Sequence, residues 1–389
     1  MTTTTRSRAA SRGGATRRTA GREGRLLHST DADTTRRSST YAWMFALVAI
    51  LNLLGLLMVL SASAVTSLYE YGSSWYQLQR QFIWLLIGSV ALIVTLRIDY
   101  HRWRRLVGPL LVVSGGLMAL VLVPGLGVSV NGASRWLGYG QLRIQPSEMA
   151  KLAVLVFAAD LLGRRADKAY DWRLTLKPVM VVFAVFAGML MLQPNLGTTI
   201  ILATIVLVML FVAGVPGKPL AVTVGVLGAG ATFFAFAEPY RFRRLMAFRD
   251  PWADPLNTGF QTIQSQVGLA NGGLLGTGLG EGRAKWGFLP EAHTDFIFAI
   301  IGEELGLLGA LTVVALFVGL GLLGMRTALR APDRFGMLLA TGITTWILVQ
   351  AFVNIGAVVG VLPITGVPLP FVSSGGSSLL FTMAATGLL

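Results

Sequence analysis

The sequence contains no cysteine, and this absence excludes several kinds of site. Without thiols, the chain cannot form a disulfide, use a cysteine nucleophile or hold zinc through cysteine. Histidine is nearly as scarce, since only His28, His101 and His293 occur among 389 residues. A HExxH zinc motif or a histidine-rich metal cluster is therefore excluded as well.

Charge is also sparse. Charged residues make up 13% of the chain, and hydrophobic residues make up 54%, whereas soluble domains carry about 25% charged residues. The mean hydropathy is +0.66. Several mostly apolar segments exceed 17 residues and are long enough to cross a bilayer as helices. The composition therefore predicts an all-α polytopic membrane protein.

The apolar segments predict ten transmembrane helices. They cover residues 42–64, 81–97, 105–123, 147–163, 175–192, 198–214, 219–237, 295–323, 336–361 and 373–389. The loop before the eighth helix, about 238–294, is far longer than an ordinary connection, and loops of that length are usually functional. Residues 1–40 are rich in Thr, Ser, Arg and Gly and predict a disordered, basic cytoplasmic tail. Residues 41–389 form the predicted membrane domain.

The net charge of +14 lies mainly beside the apolar segments. This placement favours contact with anionic lipid and a role in topology over nucleic-acid binding. With the N-terminus inside, 22 Lys and Arg residues fall on the inner side and nine on the outer side. The positive-inside rule therefore predicts that both termini are cytoplasmic and that the 238–294 loop is extracytoplasmic.

The stretch "LPEAHTDFIF" places Glu291, His293 and Asp295 directly before the eighth predicted helix. One interpretation makes Asp295 a helix N-cap or a first-turn carboxylate, which the helix dipole would favour. The other makes it a general base, because a half-sheltered carboxyl disfavours its charged form. Glu291 and His293 could equally be solvent-facing loop residues.

Ionisable residues within the predicted helices are functional candidates because burying charge in a membrane is costly. Arg80 lies at the start of the second helix, and Glu148 and Lys151 lie three apart on one face of the fourth. A cation at this depth could bind a lipid-linked phosphate, although Glu148 and Lys151 could simply neutralise each other. For Glu303 and Glu304, interhelical hydrogen bonding is the favoured interpretation.

Two glycine-rich stretches do not predict nucleotide sites. "GTGLGEG" has the wrong spacing for a dinucleotide fingerprint, and no βαβ unit surrounds it. "PFVSSGGSS" (370–378) lacks the lysine of a P-loop. This stretch instead predicts a non-helical re-entrant segment before the tenth helix.

Six motifs together resemble the SEDS family (shape, elongation, division, sporulation) over residues 45–389. They are "NGASRWL" (131–137), "QPSEMAKLA" (145–153), "QPNLGTT" (193–199), "RDPWAD" (249–254), "LPEAHTDFIFAIIGEELG" (289–306) and "LPFVSSGGSSLL" (369–380). The fifth is more similar to the division member of the family than to the elongation member. The sequence departs from the family at Asn195, where Asp is usual, and at Ser373, where Tyr is common.

The resemblance implies a peptidoglycan glycosyltransferase that polymerises lipid II at the outer face of the plasma membrane and releases undecaprenyl diphosphate. The family's catalytic aspartate corresponds to Asp295. The expected substrate-binding residues are Arg80, Lys151, Trp136, Arg135, Glu148, Glu291, His293 and Ser374. One base with phosphate-binding cations is sufficient for this displacement. A divalent cation, Mg²⁺ or Mn²⁺, could share the diphosphate charge, but the sequence shows no firm cage for it.

The expected partners are lipid II, a class B penicillin-binding transpeptidase, other division proteins and membrane lipids, with no nucleic acid. The expected location is the plasma membrane at the division septum. Three alternatives remain open at this point: a lipid II flippase, a non-catalytic scaffold that activates a partner, and an elongation role in place of division.

Overall fold

The computed structural model describes residues 1–2, 16–130, 133–140, 142–237 and 239–389. The chain divides into two compact units, residues 1–47 and 48–389. Helix α1 (Thr16–Tyr71) starts within the segment predicted to be a disordered tail, and residues 3–15 of that segment lie outside the described residues. The division into a tail and a membrane domain stays a prediction.

Among the described residues, ten helices correspond to the ten predicted spans, which confirms the all-α polytopic fold. They are α1, α2 (Tyr76–Arg97), α3 (Trp103–Val121), α4 (Pro146–Arg164), α5 (Leu176–Leu192), α6 (Leu196–Val212), α7 (Gly217–Ala237), α10 (Ile297–Leu329), α11 (Arg334–Val359) and α12 (Gly376–Leu388). Six are long and apolar enough to cross a membrane, namely α1 from Thr40, α2, α3 with its preceding turn, α7, α10 and α11. The apolar helices α5, α6 and α12 are shorter.

The connection between α3 and α4 contains a small antiparallel sheet that the sequence did not predict. Its strands are β1 (Val128–Val130), β2 (Ala133–Tyr139) and β3 (Leu142–Ile144), in that order across the sheet. Trp136 pairs with Val128, and Leu137 pairs with Ile144. The sheet holds the motif residues Arg135 and Trp136 in fixed register.

The long loop before α10 is partly helical. It contains α8 (Pro239–Arg249) and α9 (Phe260–Gly272), separated by a short 3₁₀ turn at Pro251–Ala253. Helix α9 packs against α10 and α11. The loop is therefore an ordered part of the membrane domain rather than a plain connection.

The core of the bundle lies around α4 and α11. Helix α11 packs against α4, α6, α9 and α10. Helix α4 is buried along most of its length even though it carries charged residues. One of them, Asp160, accepts hydrogen bonds from Arg104 at 2.8 Å and Arg164 at 2.9 Å, so its charge is paired as burial requires.

Helix α10 is interrupted at Gly306, whose φ of 69° is left-handed. The free backbone groups at the break bond to the loop: the Glu303 carbonyl accepts from Thr277 N–H at 2.9 Å, and Leu307 N–H donates to the Gly273 carbonyl at 2.9 Å. Backbone groups at membrane depth need such partners. The break thus anchors the loop that follows α9.

The two buried glutamates before this break also hold the loop. Glu303 accepts hydrogen bonds from Arg283 N–H at 2.9 Å and Ala284 N–H at 3.1 Å. Glu304 forms a buried ion pair with Lys285 at 2.9 Å and accepts from Ser61 of α1 at 2.7 Å. The prediction of interhelical hydrogen bonding therefore agrees with the contact of Glu304 to α1, whereas Glu303 bonds to the loop backbone and not to another helix.

Candidate active site

Asp295 lies in a tight turn directly before α10. The helix begins at Ile297 with Phe296 as its N-cap, and no side chain caps it. The interpretation of Asp295 as an N-cap is therefore wrong. Glu291 is left-handed, with φ 56°, and its carbonyl accepts from Asp295 N–H at 3.2 Å and from Phe296 N–H at 3.3 Å. This turn leaves the Asp295 carboxyl without a capping role.

The surroundings of the Asp295 side chain favour its neutral form. It is half-buried, and a Cβ placed on the exposed Gly366 would lie 3.6 Å from its Oδ2. Burial is the largest cause that raises the pKa of Asp295, Glu291 adds to the rise, Arg244 and Arg135 oppose it, and the resulting pKa is about 7. A carboxyl with this pKa exchanges protons near neutral pH, as a general base requires.

The two arginines beside Asp295 come from different elements. Arg135 of β2 donates through Nε to the Gln193 carbonyl at 3.0 Å and through its terminal nitrogen to the Pro194 carbonyl. Arg244 of α8 donates to the Ile364 carbonyl at 3.4 Å. Backbone carbonyls accept from both guanidinium groups and help to position them, and a guanidinium near Asp295 can stabilise an anion there.

His293 is adjacent to Arg80 and Glu291. Burial lowers the pKa of His293, Glu291 raises it, and Arg80 lowers it. Its backbone carbonyl accepts from Ser374 N–H at 2.9 Å, which ties the α11–α12 connection to this turn. The structure thus brings Arg80 and Ser374 to His293, in the same turn as Glu291 and Asp295.

Lys151 and Glu148 form a buried pair on α4. The Lys151 side chain is 1% exposed and contacts Glu148 at 2.8 Å. Its ammonium also donates to Gln350 Oε1 at 2.8 Å and lies 4.7 Å from the centre of the Trp346 ring. These contacts fit the local-pair interpretation, and the substrate-binding role of Lys151 and Glu148 stays a prediction.

Trp136 lies beside Arg135 on β2. Side chains of adjacent strand residues point to opposite faces. Because Arg135 reaches the Gln193 carbonyl, Trp136 faces the other side of the small sheet, where it is half-buried. Its substrate-binding role stays a prediction.

Several buried polar side-chain atoms among the described residues lack a hydrogen-bond partner. Among the described side chains, buried atoms without a hydrogen-bond partner include Arg143 Nε, Ser147 Oγ, Glu148 Oε2, Gln193 Oε1, Asn195 Nδ2, Asn354 Oδ1 and Thr365 Oγ1. Folded proteins leave few such atoms unsatisfied, and a binding site is one reason for the exceptions. The arrangement suits a polar, charged ligand. Among the described residues, no group of three His, Asp or Glu side chains is placed to hold a metal ion.

Comparison with known families decides the identity of the fold. Residues 41–389 match the family model of FtsW, RodA and SpoVE, described as cell cycle proteins. The chain belongs to this FtsW/RodA/SpoVE family. The membership confirms the resemblance seen in the six sequence motifs.

Relatives in the family are similar along almost the whole chain. A probable peptidoglycan glycosyltransferase FtsW from Geobacter metallireducens is 43% identical over 350 residues, which cover 90% of this chain and 93% of the relative. The stage V sporulation protein E of Bacillus subtilis is 40% identical over 358 residues, covering 92% and 97%.

Solved structures of the family share the fold. A chain from a peptidoglycan synthase complex that coordinates polymerization and crosslinking has a TM-score of 0.72 and 31% identity, covering 89% of this chain and 95% of that one. The rod shape determining protein RodA of Thermus thermophilus has a TM-score of 0.65 and 28% identity, covering 89% and 93%.

Asn195, where the resemblance led us to expect Asp, is the N-cap of α6. Its side-chain oxygen accepts from Thr198 N–H at 3.3 Å, while its buried Nδ2 has no partner. Asn and Asp cap helices equally well. The substitution therefore keeps the cap and places a donor where an acid would place an acceptor.

Sequence reasoning missed three residues of the site. Arg244 is one of several cations in the long loop and was not predicted to be functional. Gln350 and Asn354 lie within an apolar helix and were not predicted either. Polar side chains inside an otherwise apolar span are the signal that could have identified the last two.

Proposed function

We propose that this chain is a peptidoglycan glycosyltransferase that polymerises lipid II into glycan strands during cell division. The observation that carries the proposal is the half-buried Asp295, whose carboxyl titrates near neutral pH between two arginines. The names of the relatives and the synthase complex with a similar chain support the same activity.

In the proposed reaction, a sugar hydroxyl of one substrate attacks the anomeric carbon of the other. The new bond joins this oxygen to the anomeric carbon, and the bond from that carbon to the diphosphate oxygen breaks. The Asp295 carboxylate takes the hydroxyl proton. Arg135 and Arg244 stabilise the departing diphosphate by charge-assisted hydrogen bonds. Arg80 adds positive charge on the side of His293.

We place this reaction at the outer face of the plasma membrane, with both termini cytoplasmic, because of the distribution of Lys and Arg. A crosslinking partner of the class B penicillin-binding type is proposed, since a similar chain belongs to a complex that couples polymerization with crosslinking. The division septum is the proposed location, because relatives across most of the chain are named FtsW.

The test is polymerisation of labelled lipid II by the purified protein in detergent, with and without its transpeptidase partner. Wild type should form polymer, and Asp295→Asn should be slowed by about 10²–10⁴-fold while remaining folded. Glu281→Gln is the control, because Glu281 is an exposed carboxylate of the same loop and is not among the groups that shift the pKa of Asp295. A flippase would give no polymer in detergent, and a scaffold would leave Asp295→Asn without effect.

A further inference from the structure

Helix α11 carries two buried side-chain amides one turn apart. Gln350 is 0% exposed and Asn354 is 2% exposed, within a helix that is otherwise mostly apolar. Residues four apart lie on the same helix face. An apolar residue at either position would avoid the cost of burying an amide, so the bonds that these amides form are informative.

Gln350 connects α11 to the lysine of α4. Its Oε1 accepts from Lys151 at 2.8 Å, and its Nε2 donates to the Pro368 carbonyl at 3.0 Å and to Ser378 Oγ at 3.2 Å. One side chain therefore joins the Glu148–Lys151 pair to the connection between α11 and α12.

Asn354 makes the corresponding connection to Asp295. Its Nδ2 donates to the Asp295 carbonyl and to the Val367 carbonyl, both at 2.8 Å. Val367 precedes Pro368, so the two amides bind consecutive carbonyls of the same segment. Gly366 of this segment lies against the Asp295 carboxyl. The Asn354 amide thus holds the two backbone segments next to the Asp295 carboxyl, one at Asp295 itself and one at Val367.

We propose that Asn354 is a positioning residue, which holds Asp295 and residues 366–367 in the geometry that the proposed transfer reaction requires. The inference rests on the proposed function of Asp295. Asn354 does not touch the reacting atoms, and it acts through the backbone of Asp295. Displacement of a reacting group by about 1 Å can reduce a rate 10²-fold.

The chain offers a matched control in Asn52 of α1. Asn52 is also buried, its Nδ2 donates to the Val48 carbonyl at 2.8 Å within its own helix, and its Oδ1 lacks a partner, as does that of Asn354. Asn52→Ala and Asn354→Ala therefore remove the same group from similar burial, but only Asn354→Ala breaks a connection between elements.

Two measurements on the full-length protein test the proposal. In lipid II polymerisation, Asn354→Ala should lower kcat by about 10–10²-fold. It should also shift the acid limb of the pH–rate profile, which is the range in which the rate falls as the pH is lowered. The shift is expected because the distances from Asp295 to Glu291, Arg135 and Arg244 change. In hydrogen exchange, it should increase amide exchange in both 289–296 and 364–373. Asn52→Ala should leave the acid limb and both segments unchanged.

The outcomes separate this proposal from the proposed function. If the wild type makes no polymer, only the proposed function is overturned. Hydrogen exchange still measures whether Asn354 holds the two segments in place. The positioning role is overturned if Asn354→Ala leaves exchange in both segments unaltered, or if it leaves kcat and the acid limb at wild-type values. If Asn354→Ala does not fold, Asn354→Ser is measured in its place. Serine retains one hydrogen-bond donor, so the expected effects are the same in kind but smaller, and the same results would overturn the proposal.

Discussion

At the residue scale, the central feature is a carboxyl that caps no helix and forms no ion pair with any residue that the structure describes. The Asp295 backbone is fixed by Glu291 and Asn354, while its side chain remains half-buried beside Gly366. Burial and the two arginines act in opposite directions on its pKa, which lies at about 7. This balance permits a base that is ionised for a large part of the time at neutral pH.

A pH prediction follows from this balance. The active form of a general base is deprotonated, so the rate should fall as pH falls through about 7. Arg244→Gln removes a positive charge that stabilises the carboxylate, so the pKa of Asp295 should rise and the acid limb should move to higher pH. Arg249→Gln is the control, since Arg249 is exposed on the same helix. The measurement is the pH–rate profile of lipid II polymerisation for both variants. If the acid limb of Arg244→Gln lies at the same pH as that of Arg249→Gln, the electrostatic role of Arg244 is contradicted.

A second prediction concerns Lys151. Lys151→Met leaves the buried Glu148 unpaired, and stranding a buried charge costs about 3–5 kcal/mol. Adding Glu148→Gln removes that charge, so thermal stability should return. If Lys151 also binds the substrate diphosphate, activity should not return with stability. Thermal unfolding and polymerisation of the single and double variants are the measurements. Recovery of activity together with stability would show that the pair is only structural.

At the element scale, the α10 break at Gly306 is the main local departure from regular structure. A Cβ at this position would lie 2.3 Å from the Gly276 nitrogen and 2.6 Å from the Leu274 carbonyl oxygen. The loop and the helix approach each other through backbone here, so no side chain fits. The interruption allows residues 273–285 to bond along the helix and reach Glu303 and Glu304.

Gly306→Ala should therefore destabilise the protein. A left-handed φ costs a residue with a Cβ about 1–2 kcal/mol, and the backbone overlap adds to that cost. We expect a lower unfolding temperature in detergent and faster proteolysis within 273–285. Gly228→Ala is the matched control, because Gly228 lies in α7 with open space around its Cβ position, where Ala should be neutral or stabilising by about 0.5–1 kcal/mol. Equal stability of the two variants would contradict this account of the break.

Much of the element pattern was predictable, for a physical reason. Apolar runs must exclude charge to cross a bilayer, so α2 and α7 are visible in composition alone. The α10 break, the small sheet at 128–144 and the helices α8 and α9 were not predicted, since they depend on contacts between distant segments. Asp295 was found through clustering and resemblance. Arg244 and Asn354 were missed because only the tertiary structure brings them to the turn before α10.

At the scale of the whole molecule, the bundle brings together a site from segments far apart in sequence. β2, α8, the turn before α10 and the α11–α12 connection each contribute a side chain or backbone group next to Asp295. Helix α11 packs against α4, α6, α9 and α10 in the bundle that holds these segments together. The family relationship covers all of them, since the match spans residues 41–389.

The last prediction concerns the orientation of this bundle in the membrane. Beyond its break at Gly306, α10 continues over the 23 residues Leu307–Leu329, and at 1.5 Å per residue this part is about 35 Å long, enough to cross the bilayer core of about 30 Å. The loop before α10 and the end of α10 should then face opposite sides of the membrane.

Leu256 in that loop is 82% exposed and Leu329 at the end of α10 is 79% exposed, so Leu256→Cys and Leu329→Cys form a matched pair in a chain without cysteine. In intact cells an impermeant maleimide should label only Leu256→Cys, because the excess of Lys and Arg places the other side in the cytoplasm. Leu329→Cys should react only after lysis, the unsubstituted chain should not react at all, and the reverse pattern would place Asp295 on the cytoplasmic side and contradict polymerisation at the outer face.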